Sequence, residues 1–250
     1  MEYEPIAPRA RLGFILPSSN RMLEPQIQRY VPDGVVPHFT RIGMTGRHAA
    51  PLAELMPRIA QAAEWLGDSK CDVITLQCTG TSMSGGVDME KEIIHAMAQA
   101  TGRPALTTAT ALMAALAALG ARRLVFVSET TQPGHDRKRR FLDEAGFEVV
   151  ADRAMGLENS DAYCTTPPEF WFDSVREMKN DGADAYFVSC ANIHAIDVIE
   201  ELEAELGKPV VTSNQVALWC ALRTAGIGDD VPGLGRLLRI DAVAPAAAAE

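Results

Sequence analysis

Leu76-Gln77-Cys78-Thr79-Gly80-Thr81-Ser82 and Val188-Ser189-Cys190-Ala191-Asn192 are the two stretches whose reading decides the fold. Each follows a short apolar, β-branched or aromatic run, Val73-Ile74-Thr75 in one case and Ala185-Tyr186-Phe187 in the other. Such runs form buried strands, so each cysteine stands where a strand ends. Two arrangements are open at this point. The thiols face each other across one pocket, or they are two unrelated small hydrophobic residues in a core.

Working outward from the first stretch, Leu12 to Leu16 is a strand closed by Pro17-Ser18-Ser19-Asn20, and Glu24 begins a helix carrying Leu23, Ile27 and Tyr30. His38 to Ile42 is a strand, and Leu52 to Gly67 has the apolar period of a helix. A strand from Cys71 to Gln77 follows, then a glycine-rich loop from Gly80 to Gly86 and a helix from Met89 to Ala100. Pro104 to Thr108 is a short strand, and Ala109 to Leu119 an alanine-rich helix with Gly120 as its cap. From Arg122 the pattern restarts. Strands are expected at Leu124 to Ser128, Glu148 to Ala151, Asp184 to Ser189 and Val210 to Thr212. Helices are expected at Arg137 to Ala145, Asp197 to Leu206 and Ala217 to Ala225, with an amphipathic stretch from Phe170 to Asp181.

The restart has a fixed offset. Leu124 follows Leu12 by 112 residues, and Cys190 follows Cys78 by the same 112. Lys208-Pro209-Val210-Val211-Thr212 echoes Arg103-Pro104-Ala105-Leu106-Thr107 at an offset of 105. A duplicated unit with a deletion after the second cysteine explains both values. The expected fold class is therefore α/β: two halves related by a pseudo-twofold axis, each a mostly parallel sheet flanked by helices, with the active site in the cleft between them. The expected lobes are residues 1–120 and 121–240, and residues 241–250 are expected to form a flexible tail.

Composition narrows the function. The net charge of −10 argues against nucleic acid or an anionic membrane as partner, because both require a basic surface. The first ten residues carry two glutamates and no apolar core, which is unlike a signal peptide, and no apolar run reaches the ~18 residues of a membrane span. These features point to the cytoplasm. The five cysteines are scattered without a CxxC pair, which fits neither a disulfide framework nor a zinc site, and no His and carboxylate spacing suggests a metal. Gly233-Leu234-Gly235 lacks the strand and third glycine of a dinucleotide loop.

In open α/β sheets, ligands lie beyond the carboxyl ends of strands. Those ends here carry hydroxyl, amide and thiol groups: Pro17-Ser18-Ser19-Asn20, Cys78-Thr79-Gly80, Thr107-Thr108, Glu129-Thr130-Thr131-Gln132, Cys190-Ala191-Asn192 and Thr212-Ser213-Asn214-Gln215. Neutral donors with the amides that open the next helix suit a small carboxylate. A helix N-terminus is also expected to lower a nearby thiol pKa. Cys71, Cys164 and Cys220 read as structural, whereas the matched placement of Cys78 and Cys190 selects them as the catalytic pair. His194, four residues beyond Cys190, is an alternative base, although a surface or core-bonded imidazole is the simpler reading. Arg137-Lys138-Arg139-Arg140 reads as the solvated face of a helix, with Arg137 an outside candidate for a carboxylate clamp.

At these residues the chain resembles the aspartate/glutamate racemase superfamily, and within it the maleate cis-trans isomerase and arylmalonate decarboxylase branch. The resemblance runs from about Arg11 to Leu238. Besides the turns above, Glu24, Gly86, Trp219 and Gly233-Leu234-Gly235-Arg236-Leu237-Leu238 carry it. It implies cofactor-independent chemistry between two lobes. Cys78 would add to the double bond of a small dicarboxylate, Cys190 would give and take the proton, and the intervening succinyl thioether would rotate. Asn20, Thr79 and Asn159 would hold carboxylates, with Ser19, Gly80, Thr130, Ala191 and Asn192 completing the substrate-binding wall. Decarboxylases of the branch keep only the second cysteine, so Cys78 argues against that activity. Racemases use both thiols as opposed acid and base, which makes a two-cysteine racemase or epimerase of an amino-acid-like or hydantoin-like acid the first alternative. A non-catalytic carboxylate-binding protein is the second.

The chain departs from the branch at Thr130, where a tyrosine that contacts the substrate carboxylate is usual. Tyr163, within the unusual stretch Asn159 to Trp171, is a candidate replacement, and a pocket for a different substrate is the other explanation. Homo-oligomerisation stays open, because alanine-rich helices such as Ala109 to Leu119 pack equally well in a core or against a second subunit.

Overall fold

In a computed structural model the described residues are 7, 9–44 and 51–241. The expected tail falls almost wholly outside them. The first sheet contains β1 (Ala10–Pro17), β2 (Val35–Ile42), β3 (Val73–Leu76) and β4 (Ala105–Thr107) in the order β2-β1-β3-β4. The second contains β5 (Arg123–Ser128), β6 (Glu148–Ala154), β7 (Ala185–Ser189) and β8 (Val210–Thr212) in the order β6-β5-β7-β8. Every pairing is parallel. The two sheets thus share one topology, with β1 answering β5 and β3 answering β7. That is the arrangement the 112-residue offset implies.

The sequence explains which strands are central. β3 and β7 are buried at every position, as parallel strands covered on both faces must be. The outer strand β6 is at most half-buried along its length. Among the described residues, ten α-helices surround the sheets: α1 (Leu23–Tyr30), α2 (Leu52–Asp68), α3 (Thr79–Met83), α4 (Gly86–Thr101), α5 (Thr108–Ala118), α6 (Gln132–Glu144), α7 (Ser160–Thr165), α8 (Pro168–Arg176), α9 (Ile199–Leu206) and α10 (Ser213–Thr224).

The counterparts α5 and α10 pack on each other and join the halves. Both start directly from a strand at a threonine cap: Thr107 accepts a bond from the Thr110 amide, and Thr212 forms a capping box with Gln215. α10 is buried over nearly its whole length, and one apolar core includes Leu12 and Phe14 of the first sheet with Phe126 and Phe187 of the second. A second core, with Ile59, Leu66, Ile74 and Met97, lies beneath α2 and α4.

Several expected boundaries shift for local reasons. Gly80 to Gly86 is not a loop: the chain turns from β3 straight into α3, where the Ser82 amide bonds the Cys78 carbonyl at 2.9 Å. Ser213-Asn214-Gln215 is the buried first turn of α10 rather than a turn before it. α6 begins at Gln132, five residues ahead of Arg137, because Pro133 suits a helix start. The amphipathic stretch ends at Arg176, and α7 was not anticipated. Gly233 and Gly235 form a tight turn on α9, and a Cβ at Gly235 would lie 2.8 Å from Glu203 and Ile199.

Candidate active site

The carboxyl ends of β1, β3, β5 and β7 meet at one cavity of about 330 Å³. Asn20 reaches it after β1, Cys78, Thr79 and Gly80 after β3, Glu129 and Thr130 after β5, and Cys190, Ala191 and Asn192 after β7. Asn159 and Tyr163 close it from α7. The two thiols are both buried there, so the chain brings the expected pair to one pocket. Ser19 is placed differently. It lies outside the lining, in the turn that the Asn20 amide closes by donating to the Pro17 carbonyl at 2.9 Å.

Each thiol is held by its own strand end. Thr81 Oγ1 donates to Cys78 Sγ at 3.1 Å, and the Asn192 amide donates to Cys190 Sγ at 3.3 Å. Cys190 has φ +124°, a conformation that costs a residue with a Cβ ~1–3 kcal/mol and persists only where the surroundings impose it. Ser213 supplies part of that constraint. Its Oγ accepts the Cys190 amide at 3.0 Å and the Thr79 hydroxyl at 2.8 Å, linking the two cysteine turns through α10.

Further buried amides bind the halves beneath the cavity. Gln77 Nε2 donates to the Ser213 carbonyl at 2.8 Å and its Oε1 accepts from Thr108 Oγ1 at 2.9 Å. Asn214 Nδ2 donates to Gln26 Oε1 at 2.6 Å and to the Ala191 carbonyl at 3.1 Å. Ser213→Ala removes one acceptor from two buried donors, so unfolding by urea should show a loss of about 1–3 kcal/mol. An unchanged midpoint and slope would show that the link is dispensable.

The carboxylate donors differ in availability. Asn20 Nδ2 donates to the Ala191 carbonyl at 2.8 Å, while its Oδ1 caps α1 by accepting the Met22 and Leu23 amides, so Asn20 serves as a strut across the seam. Asn159 Oδ1 caps α7 by accepting the Asp161 and Ala162 amides. Asn192 Oδ1 accepts the Arg21 amide at 2.8 Å and Cys164 Sγ at 3.1 Å, whereas its buried Nδ2 has no partner among the described residues. α3 opens at the cavity with Thr79 and Gly80, whose first-turn amides have no acceptor within the helix. Thr130 and the Tyr163 phenol hydrogen-bond each other, and burial beside Glu129 pushes the phenol up to about 12. Tyr163 thus brings a neutral phenol to the cavity wall beside Thr130.

The expected low thiol pKa does not hold. Burial pushes Cys78 up, against the Thr81 hydroxyl and amide and the Lys138 ammonium. Cys190 is pushed well above its ordinary value, first by burial and then by the Glu129 carboxylate. Desolvation of a thiolate outweighs the donors of a one-turn helix such as α3. Cys71 and Cys220, away from the cavity, are each raised to about 11 by burial and suit the structural role expected of them.

Two residues went unrecognised in the sequence. Lys138 is buried rather than solvated, and its Nζ donates to both carboxylate oxygens of Glu129 at 2.8 and 2.6 Å. Both line the cavity, while Arg137 reaches its edge from an exposed position. His194 does not line it. Its Nε2 lies 3.0 Å from the Cys164 carbonyl and its Nδ1 3.5 Å from Asp197. Among the described residues no cluster of His, Cys and carboxylate side chains could hold a metal, and no helix is long and apolar enough to cross a membrane.

Comparison with known proteins gives a consistent result. The family model for arylmalonate decarboxylase matches residues 12–238. A maleate isomerase from Pseudomonas putida is 29% identical over 241 residues, covering 91% of this chain and 96% of the relative. The arylmalonate decarboxylase from Bordetella bronchiseptica is 28% identical over 230 residues, covering 90% and 95%. Among solved structures, a point mutant of Nocardia farcinica maleate cis-trans isomerase with a covalently bound succinylcysteine intermediate superposes with a TM-score of 0.86 at 25% identity, covering 93% of this chain and 99% of that one.

Proposed function

The chain belongs to the arylmalonate decarboxylase family, and from that premise we propose that it is a cofactor-independent isomerase of a small dicarboxylate, acting on maleate or a close analogue, with Cys78 as nucleophile and Cys190 as acid and base. The observation that carries the reading is the pair of thiols at equivalent strand ends in one donor-lined cavity. A decarboxylase of this branch would be expected to lack the first of them. The Nocardia relative with a succinylcysteine supports covalent addition as the family's route to isomerisation.

The steps balance without a co-reactant. The Cys78 thiolate forms a C–S bond to one alkene carbon, and the π electrons pass to the neighbouring carbon, stabilised by its carboxylate. Cys190 gives that carbon its thiol proton. The resulting succinyl thioether has a single bond where the double bond was, and it rotates. The Cys190 thiolate then removes a proton, the double bond re-forms, and Cys78 leaves. Thr79, Gly80, Asn159 and Asn192 are proposed to hold the carboxylates, while Asn20 and Ala191 hold the frame. Thr130 acts through Tyr163.

The two thiols suit separate roles because their environments differ. Burial raises both thiols, but the Thr81 hydroxyl then favours a thiolate at Cys78 whereas the Glu129 carboxylate disfavours one at Cys190, which suits Cys78 to be the charged nucleophile while Cys190 holds its proton. The pair titrates as a unit, so kcat/KM should be bell-shaped, with a rising limb alkaline of the ~8.5 of an ordinary thiol and a falling limb at higher pH. Initial rates of maleate loss across the alkaline range check this. A rate that peaks below neutrality would contradict it. The activity itself is tested by incubating the pure protein with maleate and following fumarate by proton NMR. No turnover with intact thiols would remove maleate as substrate.

A further inference from the structure

The mechanism above leaves unused a charged group in the cavity wall. Lys138 projects from α6, is 4% exposed, and gives two of its three N–H donors to Glu129. Among the described residues no acceptor meets the third. Among the described residues, the buried side-chain nitrogen of the lining left without a partner is Asn192 Nδ2, from the turn after β7. A buried ammonium requires a counter-ion, and Glu129 is that counter-ion. An ion pair whose purpose is only structural has no need of a place in a cavity wall beside both thiols, and apolar residues of similar volume would serve as well.

We propose that Lys138, held in place by Glu129, is a substrate-binding residue that donates its third N–H to one carboxylate of the ligand and makes the cavity selective for dicarboxylates over monocarboxylates, with Asn192 Nδ2 as its neutral partner. The inference deepens the isomerase reading and rests on it only for the identity of the ligand. Thr130 fits the same picture. Thr130 is bonded to the Tyr163 phenol, and the adjacent Glu129 holds the lysine at the same wall of the pocket.

The test uses succinate, a saturated diacid that cannot react, and butyrate, its monoacid counterpart, with affinities measured by calorimetry on the full chain. Lys138→Met alone strands the Glu129 carboxylate and risks misfolding, so the informative variant is the double substitution Glu129→Gln with Lys138→Met, which removes both charges at similar volume. It should stay folded and bind succinate about ten- to a hundredfold more weakly, while butyrate affinity changes less than about threefold. Lys138→Arg should restore most of the preference, because it keeps the charge. Unchanged succinate affinity in the double variant overturns the assignment, as does a wild-type protein with no preference for succinate. The same holds if Arg137→Gln, at the cavity edge, produces the loss in place of Lys138. Failure of the isomerase reading looks different: maleate is not converted, yet diacid preference still depends on Lys138.

Discussion

Replacing Cys78 by alanine is expected to lower kcat/KM for maleate by on the order of 10⁶-fold, the scale seen when a covalent nucleophile is deleted and binding is left intact. The expectation follows from the chemistry more than from the fold. Without the sulfur no single-bonded adduct forms, and the alkene has no means of rotating. The substitution removes one small buried group at the end of β3, so unfolding measurements should show a near-native protein. Because the two thiols act on one adduct, the double substitution with Cys190→Ala should be no slower than Cys78→Ala alone. Additive losses would show two independent roles and argue against a shared intermediate.

Cys190→Ala should cost less, roughly 10²- to 10⁴-fold, the range of a lost general acid or base. The nucleophile and the carboxylate donors remain, but the carbon next to the new C–S bond has no positioned proton source. The loss should also change with pH in a defined way. The falling alkaline limb of the wild type is assigned to Cys190 losing its proton, so that limb should disappear in Cys190→Ala while the rising limb stays. The second limb has a structural origin: Glu129 faces Cys190 and raises it beyond the effect of burial. A variant that retains both limbs would assign the falling one to another group.

The sequence made the architecture legible because it states it twice. Equal offsets between Leu12 and Leu124 and between Cys78 and Cys190 led to two equivalent sheets and to two cysteines at equivalent strand ends. What it concealed depends on partners distant along the chain or on burial. Lys138 lies in a run of four cations that reads as a solvated face, and only its ion pair with Glu129 makes its burial tolerable. The first turn of α10 reads as a loop because capping and buried polar contacts require Ser213, Asn214 and Gln215 where periodicity looks for apolar residues. α7 is six residues long, too short for a helical period, yet it delivers Asn159 and Tyr163 to the cavity. Capping supplies the one local signal that could have found it, an asparagine followed by Ser160 and Asp161. The thiol pKa values went the wrong way because a short helix terminus is visible in sequence and the desolvation that outweighs it is not.

A covalent bond from Cys78 to the substrate is directly detectable. Cys190→Ser, incubated with maleate, acid-quenched and digested, should yield a peptide containing Cys78 heavier by one maleic acid, with Cys71, Cys164 and Cys220 unmodified. Mass spectrometry that finds no adduct on Cys78 while the wild type converts maleate to fumarate would contradict the account.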